Sequence, residues 1–112
     1  MKVIKLFWKK LEKNIFSDEN HQSLSIGMDF LSSTYDDYET VAEIVQDSCD
    51  SLDGIIFNAT NLGSLSPLAH YEPLTWAKTF QINVHSNFLM YKTMYRQLKK
   101  PNGATLIFVL SP

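Results

Sequence analysis

The fold is decided by residues 52–60, with the sequence LDGIIFNAT. An Asp-Gly turn opens this stretch, and three consecutive apolar residues after it predict a short strand buried on both faces of a parallel sheet. Ligands of such sheets bind just beyond the carboxyl ends of the strands. The sequence therefore predicts a functional edge at Asn58, Ala59 and Thr60.

Length and composition limit the classes of protein to consider. We expect one small domain over residues 1–112, and the net charge of −2 does not predict nucleic-acid binding. Cys49 is the single cysteine, so an internal disulfide is impossible and a reducing cytoplasm suits the chain. No His, Cys or carboxylate set has metal-ligand spacing, and no apolar run approaches the roughly 20 residues of a membrane-spanning helix.

The first segment is rich in both lysine and large apolar residues. Apolar side chains at helical spacing predict an amphipathic helix over about 2–16, with Phe7 and Trp8 on its apolar side. Such a helix packs on a sheet or lies on an anionic membrane surface. We favour packing on a sheet, because strands follow at the right distance.

The rest of the chain alternates strands and helices. We expect strands at about 24–30, 53–58 and 104–110, and helices at about 35–49 and 74–99. This order predicts an α/β fold whose small sheet is mainly parallel.

Two polar features have both a structural and a functional interpretation. Asp29, at the end of the first expected strand, either accepts hydrogen bonds from a nucleotide or caps the next turn. The polar run around Asn83 lowers helix propensity, so a tertiary contact is expected to keep part of it in place. The aromatic and Met residues of the same helix suit a core or an interface between chains.

Four motifs in one order carry a resemblance to a known family. Asn58-Ala59-Thr60 resembles an Asn-Ala-Gly signature, Asp29-Phe30 a strand-end acid, Gln81-Ile82-Asn83-Val84 a helix motif and 106–111 a strand ending in serine. From about Val3 to Ser111 the chain resembles the short-chain dehydrogenase/reductase family, and within it the bacterial YciK-type oxidoreductases.

The resemblance implies a partial Rossmann-like three-layer fold and a cofactor, NAD or NADP. Asn83 would hold a water of a proton relay through its backbone, and Ser111 would hydrogen-bond the reacting oxygen. The residues that the resemblance places beside the cofactor are Asp29, Phe30, Asn58, Ala59 and Thr60.

The chain also departs from the family pattern. The glycine-rich turn that receives the pyrophosphate has no counterpart here, Thr60 replaces a glycine, and the family's Tyr-x-x-x-Lys would lie beyond Ser111. We therefore predict feeble cofactor binding at most and negligible oxidoreductase turnover by this polypeptide alone, as for a remnant or a part of a split enzyme.

The strands that would separate 24–30 from 53–58 in the family are also missing. Three outcomes are possible: the strand at 24–30 slides beside Ile55–Phe57, two copies exchange elements, or a complementing chain supplies what is missing. We expect the first of these, in a self-associating chain. The alternative function is a non-catalytic module that docks a protein or a membrane through the basic first helix or an exposed sheet edge.

Overall fold

The structure, a computed structural model, describes residues 2–9, 21–49, 51–99 and 103–110, with side chains from Ser25 onward. Its strands are β1 (Lys2–Lys9), β2 (His21–Met28), β3 (Gly54–Phe57) and β4 (Thr105–Phe108). Its α-helices are α1 (Tyr35–Ser48), α2 (Pro73–Phe80) and α3 (Ser86–Leu98). A 3-10 turn at Leu68–His70 precedes α2, and a π-helical segment, Gln81–His85, joins α2 to α3.

The parallel pair β3 and β4 is the sheet predicted from the LDGIIFNAT stretch. The register places Gly54 opposite Thr105 and Phe57 opposite Phe108. The Phe57 and Phe108 rings stack with their centroids 4.7 Å apart. This pairing confirms the predicted α/β class and the parallel relation of the two strands.

The core lies where α1 and α3 pack together and against the sheet. Tyr38, Val45 and Met94 are at most 2% exposed. Gln97 fixes the end of α3, because its side-chain Nε2 donates to the Ala42 carbonyl (3.1 Å) and its own carbonyl accepts the Leu52 N–H (2.8 Å). The carboxyl end of α3 therefore lies beside the start of β3.

The beginning of α1 is capped by the side chains of its first residues. Thr34 is the N-cap, and both its N–H and its hydroxyl donate to Asp37 Oδ2, at 2.8 and 3.2 Å. Asp36 and Asp37 also lie in the first helical turn, where the helix dipole favours negative charge. Residues 35–49 were predicted as a helix, and the helix spans Tyr35–Ser48.

The predicted amphipathic helix at 2–16 is wrong for residues 2–9, which form β1. This strand pairs antiparallel with β2, from Lys2 opposite Met28 to Lys9 opposite His21. The segment has valine, isoleucine, phenylalanine and tryptophan, which favour strands, so its apolar spacing fitted two structures. Residues 10–16 of that prediction lie outside the described residues.

The predicted arrangement of the strand at 24–30 is also wrong. It was expected to slide beside Ile55–Phe57, but β2 ends at Met28 and pairs with β1, while β3 pairs with β4. Each strand pair among the described residues is therefore a separate sheet, one antiparallel and one parallel. An antiparallel neighbour satisfies the backbone of β2 without a crossover.

Candidate functional site

The tip of β3 is the part of the site that the sequence identified first. Asn58 is exposed, while Ala59 and Thr60 are half-buried. Thr60 donates its hydroxyl to the Asn58 carbonyl at 3.4 Å. The Asn58 side-chain amide makes no hydrogen bond within the described residues and is available to a ligand.

Asn83 lies directly against the loop that leaves this tip. Its Oδ1 accepts the Asn61 N–H and its Nδ2 donates to the Asn61 carbonyl, both at 2.8 Å. An amide side chain that satisfies both backbone groups of one residue fixes that residue firmly. The π-helical segment is thereby joined to the carboxyl end of β3.

The α2 helix, the π-helical segment and α3 together form one long helix over residues 73–98, with a polar run in its middle. The hydrogen bonds of Asn83 and of its neighbours explain this run. Gln81 Nε2 donates to the Phe30 carbonyl at 3.3 Å, and Asn87 Nδ2 donates to the Asn83 carbonyl at 2.9 Å. The buried Ser86 hydroxyl donates to the Ile82 carbonyl. The tertiary contact expected for this run is therefore present. Gln81 connects the helix to the chain after β2, and Asn83 connects it to the chain after β3.

The loop after the tip is closed by two further hydrogen bonds. Asn61 Oδ1 accepts the Gly63 N–H at 2.8 Å, and the Tyr71 hydroxyl accepts the Ser64 N–H at 2.9 Å. Gly63 has a φ of 71°, in the left-handed region that glycine adopts without steric cost. The loop is thus held at Asn61, Gly63 and Ser64 in succession.

Asp29 caps its own turn in the structure. Its Oδ1 accepts the Leu31 N–H and its Oδ2 accepts the Ser32 hydroxyl, both at 3.0 Å. These two hydrogen bonds, the Leu31 bond first, lower the pKa of the Asp29 carboxyl below its ordinary value. Of the two interpretations left open by the sequence, turn capping is thus the one the structure displays.

Phe30 has its side chain in the core. It is 8% exposed and stacks on Tyr38 with a centroid distance of 6.4 Å. Its backbone carbonyl, and not its ring, faces the helix contact with Gln81. Any contact between the Phe30 ring and a cofactor would require the ring to leave this packing.

Ser111, the other predicted catalytic residue, lies outside the described residues. Tyr95 and Lys99 have the four-residue spacing of a Tyr-x-x-x-Lys pair, a fact that the sequence-based prediction overlooked. They lie at the end of α3, which the Gln97–Leu52 hydrogen bond places beside the start of β3. That is the edge of the sheet opposite to Asn58, so this pair does not belong to the site.

Comparison with known protein families agrees with the fold. The family model for short chain dehydrogenase matches residues 8–112. The chain belongs to the short chain dehydrogenase family.

Several relatives define the neighbourhood within that family. The chain is 24% identical over 103 residues to the uncharacterized oxidoreductase YciK of Escherichia coli K12. The aligned region covers 92% of this chain and 41% of YciK. A short chain dehydrogenase structure from E. coli CFT073 in complex with NADPH matches at 28% identity and a TM-score of 0.68, covering 72% of this chain and 34% of that one. A short chain dehydrogenase from Salmonella enterica serovar Typhi matches at 28% identity and a TM-score of 0.69, covering 72% and 33%.

The chain therefore spans about two-fifths of the length of the curated relative that it matches. Within the described residues, no helix has the length and apolar content needed to cross a bilayer.

The sequence singled out Asn83 and Asn58 but missed Asn61 and Tyr71. Neither of the missed residues lies in a motif, and their contacts depend on the path of a loop.

Proposed function

We propose that the chain is the cofactor-edge segment of an NAD(P)-dependent oxidoreductase and that it has negligible turnover as an isolated 112-residue polypeptide. The observation that carries this proposal is the Asn83–Asn61 pair, which fixes the chain directly after the tip of β3. The tip itself presents an exposed amide, Asn58, followed by the small residue Ala59. A small residue there allows backbone and ligand to approach closely.

The residues present fit a dinucleotide at this edge. Asn58, Ala59 and Thr60 would line it, with Asn58 supplying an amide that has no partner in the described residues. Asp29 would approach it through the lone pairs that its turn leaves over, since each carboxylate oxygen accepts more than one hydrogen bond. The dinucleotide supplies the hydride chemistry, while the protein binds and orients.

The proposed catalytic side consists of Asn83 and Ser111. The Asn83 carbonyl accepts a hydrogen bond from the Asn87 side chain at 2.9 Å, and by the family resemblance this carbonyl would hold the water. Ser111 would donate to the reacting oxygen. Turnover also needs a general acid/base near neutral pH, and the Tyr95–Lys99 pair at the opposite edge does not supply one.

Titration of NADPH and NADH against the purified chain tests this function. Saturable but weak binding, no tighter than the micromolar range and without measurable carbonyl reduction, is the expected result. Asn58→Ala should weaken binding by roughly fivefold, the effect of about one hydrogen bond. Gln46→Ala, which truncates an exposed amide on α1, should bind as the wild type does.

Contradiction would take one of two forms. Absence of binding at millimolar cofactor would remove the cofactor-edge assignment. Robust reduction of a carbonyl compound by the isolated chain would remove the assignment of inactivity, because it would require an acid/base that we have not identified.

We further propose that the chain associates with itself through one face of the long helix. Large apolar side chains on this face are between 38% and 56% exposed: Trp76, Phe80, Val84, Phe88, Tyr91 and Tyr95. Their sequence spacing of three or four residues places them on one stripe. Burial of such a stripe is favourable at about 25 cal/mol for each Å² removed from water.

Sedimentation of a charged variant tests the association. Val84→Glu should convert dimers or larger species to monomers, because the new carboxylate would be buried at the interface and the chain has no lysine or arginine within four residues of it. Leu68→Glu is the control, since Leu68 is 76% exposed but lies in the loop and outside the stripe. A monomeric wild-type chain would contradict the proposal.

A complementing chain is the other partner that the molecule suits. The apolar residues of β4 and the two positions after it are 37–84% exposed: Leu106, Ile107, Phe108, Val109 and Leu110. A second polypeptide that covers these side chains, which point to both faces of the strand, would make the chain a part of a split enzyme. Gain of carbonyl reductase activity on mixing with such a polypeptide would support this arrangement.

The alternative is a non-catalytic module that docks a protein through an exposed sheet edge. The exposed apolar side chains of β4 favour this module, whereas the membrane version loses its basis because residues 2–9 form a strand. The cofactor titration separates the two functions. Binding of neither NADH nor NADPH, together with retained self-association, would favour the module.

A further inference from the structure

The loop from Asn61 to Tyr71 makes more internal contacts than a simple connection requires. Asn61 is held by Asn83, Gly63 by the Asn61 side chain and Ser64 by the Tyr71 hydroxyl. The first two contacts hold the residues that directly follow the tip of β3. The third comes from a residue seven positions further along the chain, between the 3-10 turn and α2.

Tyr71 is itself held in place by its surroundings. Its N–H donates to the Leu68 carbonyl at 3.2 Å, and its ring meets the Trp76 ring edge-on with centroids 5.8 Å apart. The Tyr71 hydroxyl therefore stands at a fixed point and does not follow the loop. A fixed acceptor orders the N–H that binds to it.

Gly63 shows how closely the loop fits this hydroxyl. A Cβ built on Gly63 would lie 2.3 Å from the Tyr71 hydroxyl oxygen and 3.0 Å from Thr79 Oγ1. The loop backbone therefore touches α2 with no space for a side chain. This contact fixes the distance between the loop and the helix.

We propose that Tyr71 is a positioning residue for dinucleotide binding, whose hydroxyl holds the loop after β3 so that the Asn58–Thr60 tip is ordered before the cofactor arrives. The inference rests on the cofactor-edge function proposed above. Ordering a segment in advance removes part of the entropy cost of binding, so the loop contact strengthens affinity without touching the ligand. Tyr71 belongs to none of the motifs by which the chain resembles its family.

Tyr71→Phe tests the proposal, because it removes the hydroxyl and keeps the ring against Trp76. Two quantities are measured at a temperature at which both chains are fully folded: the exchange rate of the Ser64 amide and the dissociation constant for NADPH. We expect Ser64 exchange to accelerate by roughly fivefold to tenfold and NADPH binding to weaken by a similar factor, as one hydrogen bond is lost. Tyr35→Phe removes the same atom from an exposed tyrosine on α1 and should change neither quantity.

Each other outcome overturns the proposal in a recognisable way. Unchanged Ser64 exchange in Tyr71→Phe would show that the hydroxyl does not order the loop. Faster exchange with unchanged NADPH affinity would show that the loop contact has no role in binding, while the cofactor-edge function would stand. Absence of NADPH binding by the wild-type chain would overturn the proposed function and this inference together.

Discussion

Tyr38 stacks on Phe30 with an interplanar angle of 14°, and its hydroxyl is buried without a hydrogen-bond partner in the described residues. This pair joins the first turn of α1 to the chain after β2. An unpaired buried hydroxyl costs about 1–3 kcal/mol of stability. The stacked ring therefore stabilises the core while its polar atom opposes that stabilisation.

Tyr38→Phe should raise the free energy of unfolding by about 1 kcal/mol, because it removes the unpaired hydroxyl and keeps the ring. Burial and the neighbouring Asp37 raise the pKa of Tyr38 above its ordinary value of 10.0. The folded state resists ionisation of Tyr38, whereas the unfolded chain ionises near the ordinary pKa. The fold with neutral Tyr38 therefore keeps its stability below pH 10 and loses part of it as the pH rises through the raised pKa. Urea denaturation at pH 7 and pH 11 should show a smaller alkaline loss in Tyr38→Phe than in the wild type.

Asp29→Ala should destabilise the chain at pH 7 by removing the acceptor for Leu31 and Ser32. Because the pKa of this carboxyl lies below its ordinary value of 3.8, its contribution is present above that pH and is lost as the pH falls through the lowered pKa. The difference between variant and wild type in urea midpoint should therefore shrink toward pH 2. A difference that stays constant over this range would contradict the assigned role.

Asn83→Ala should lower the free energy of unfolding by about 2 kcal/mol, since two hydrogen bonds to the Asn61 backbone are lost. Asn83→Asp keeps the acceptor but sets a carboxylate oxygen against the Asn61 carbonyl, so it should lower the free energy of unfolding by at least as much as Asn83→Ala. Asn87→Ala is the control, because among the described residues that side chain bonds only the helix carbonyl four residues earlier. An equal loss of unfolding free energy for Asn83→Ala and Asn87→Ala in denaturant titrations would contradict a stabilising role of the Asn83–Asn61 hydrogen bonds.

Gly63→Ala should destabilise the chain by more than Gly103→Ala. Both glycines have positive φ, 71° and 79°, so both substitutions incur the left-handed cost of about 1 kcal/mol. Only the Cβ at position 63 meets the Tyr71 hydroxyl, whereas none of the described atoms lies within 4 Å of one at Gly103. The additional loss of stability in Gly63→Ala, measured by thermal unfolding, is the cost of the steric contact between the new Cβ and the Tyr71 hydroxyl. Equal losses for the two variants would show that the loop moves to relieve this contact.

Much of the α/β alternation was predictable because it depends on local patterns. The apolar run of β3, the capping residues before α1 and the proline at the start of α2 each identify an element without knowledge of its partner. The first segment failed for the opposite reason. Its apolar residues suit a helix and a strand equally, and the partner that decides between them, β2, starts at His21.

The site was predictable where it follows strand ends and unpredictable where it follows a loop. Asn58 and Asn83 stand in recognisable motifs, and the polar run revealed that the helix makes a tertiary contact. Asn61 and Tyr71 gave no such signal, because their hydrogen bonds depend on where the loop from Asn61 to Tyr71 folds back. Asp29 was placed correctly at a strand end, but only coordinates show its carboxylate engaged by Leu31 and Ser32.

The π-helical segment has a consequence for how the long helix tolerates change in length. A π-turn equals an α-turn with one additional residue, so deleting one residue from Gln81–His85 would restore uniform α-helical winding. The additional residue is absorbed within the widened turn, so this deletion would leave Trp76 and α3 in nearly their present rotational relation. Deletion of one residue from α3 would instead rotate everything N-terminal to it by about 100°, because each α-helical residue turns about the axis by that angle. The Trp76 ring would then leave its stripe. The widened turn is thus the position in this rod where loss of one residue disturbs the two ends least.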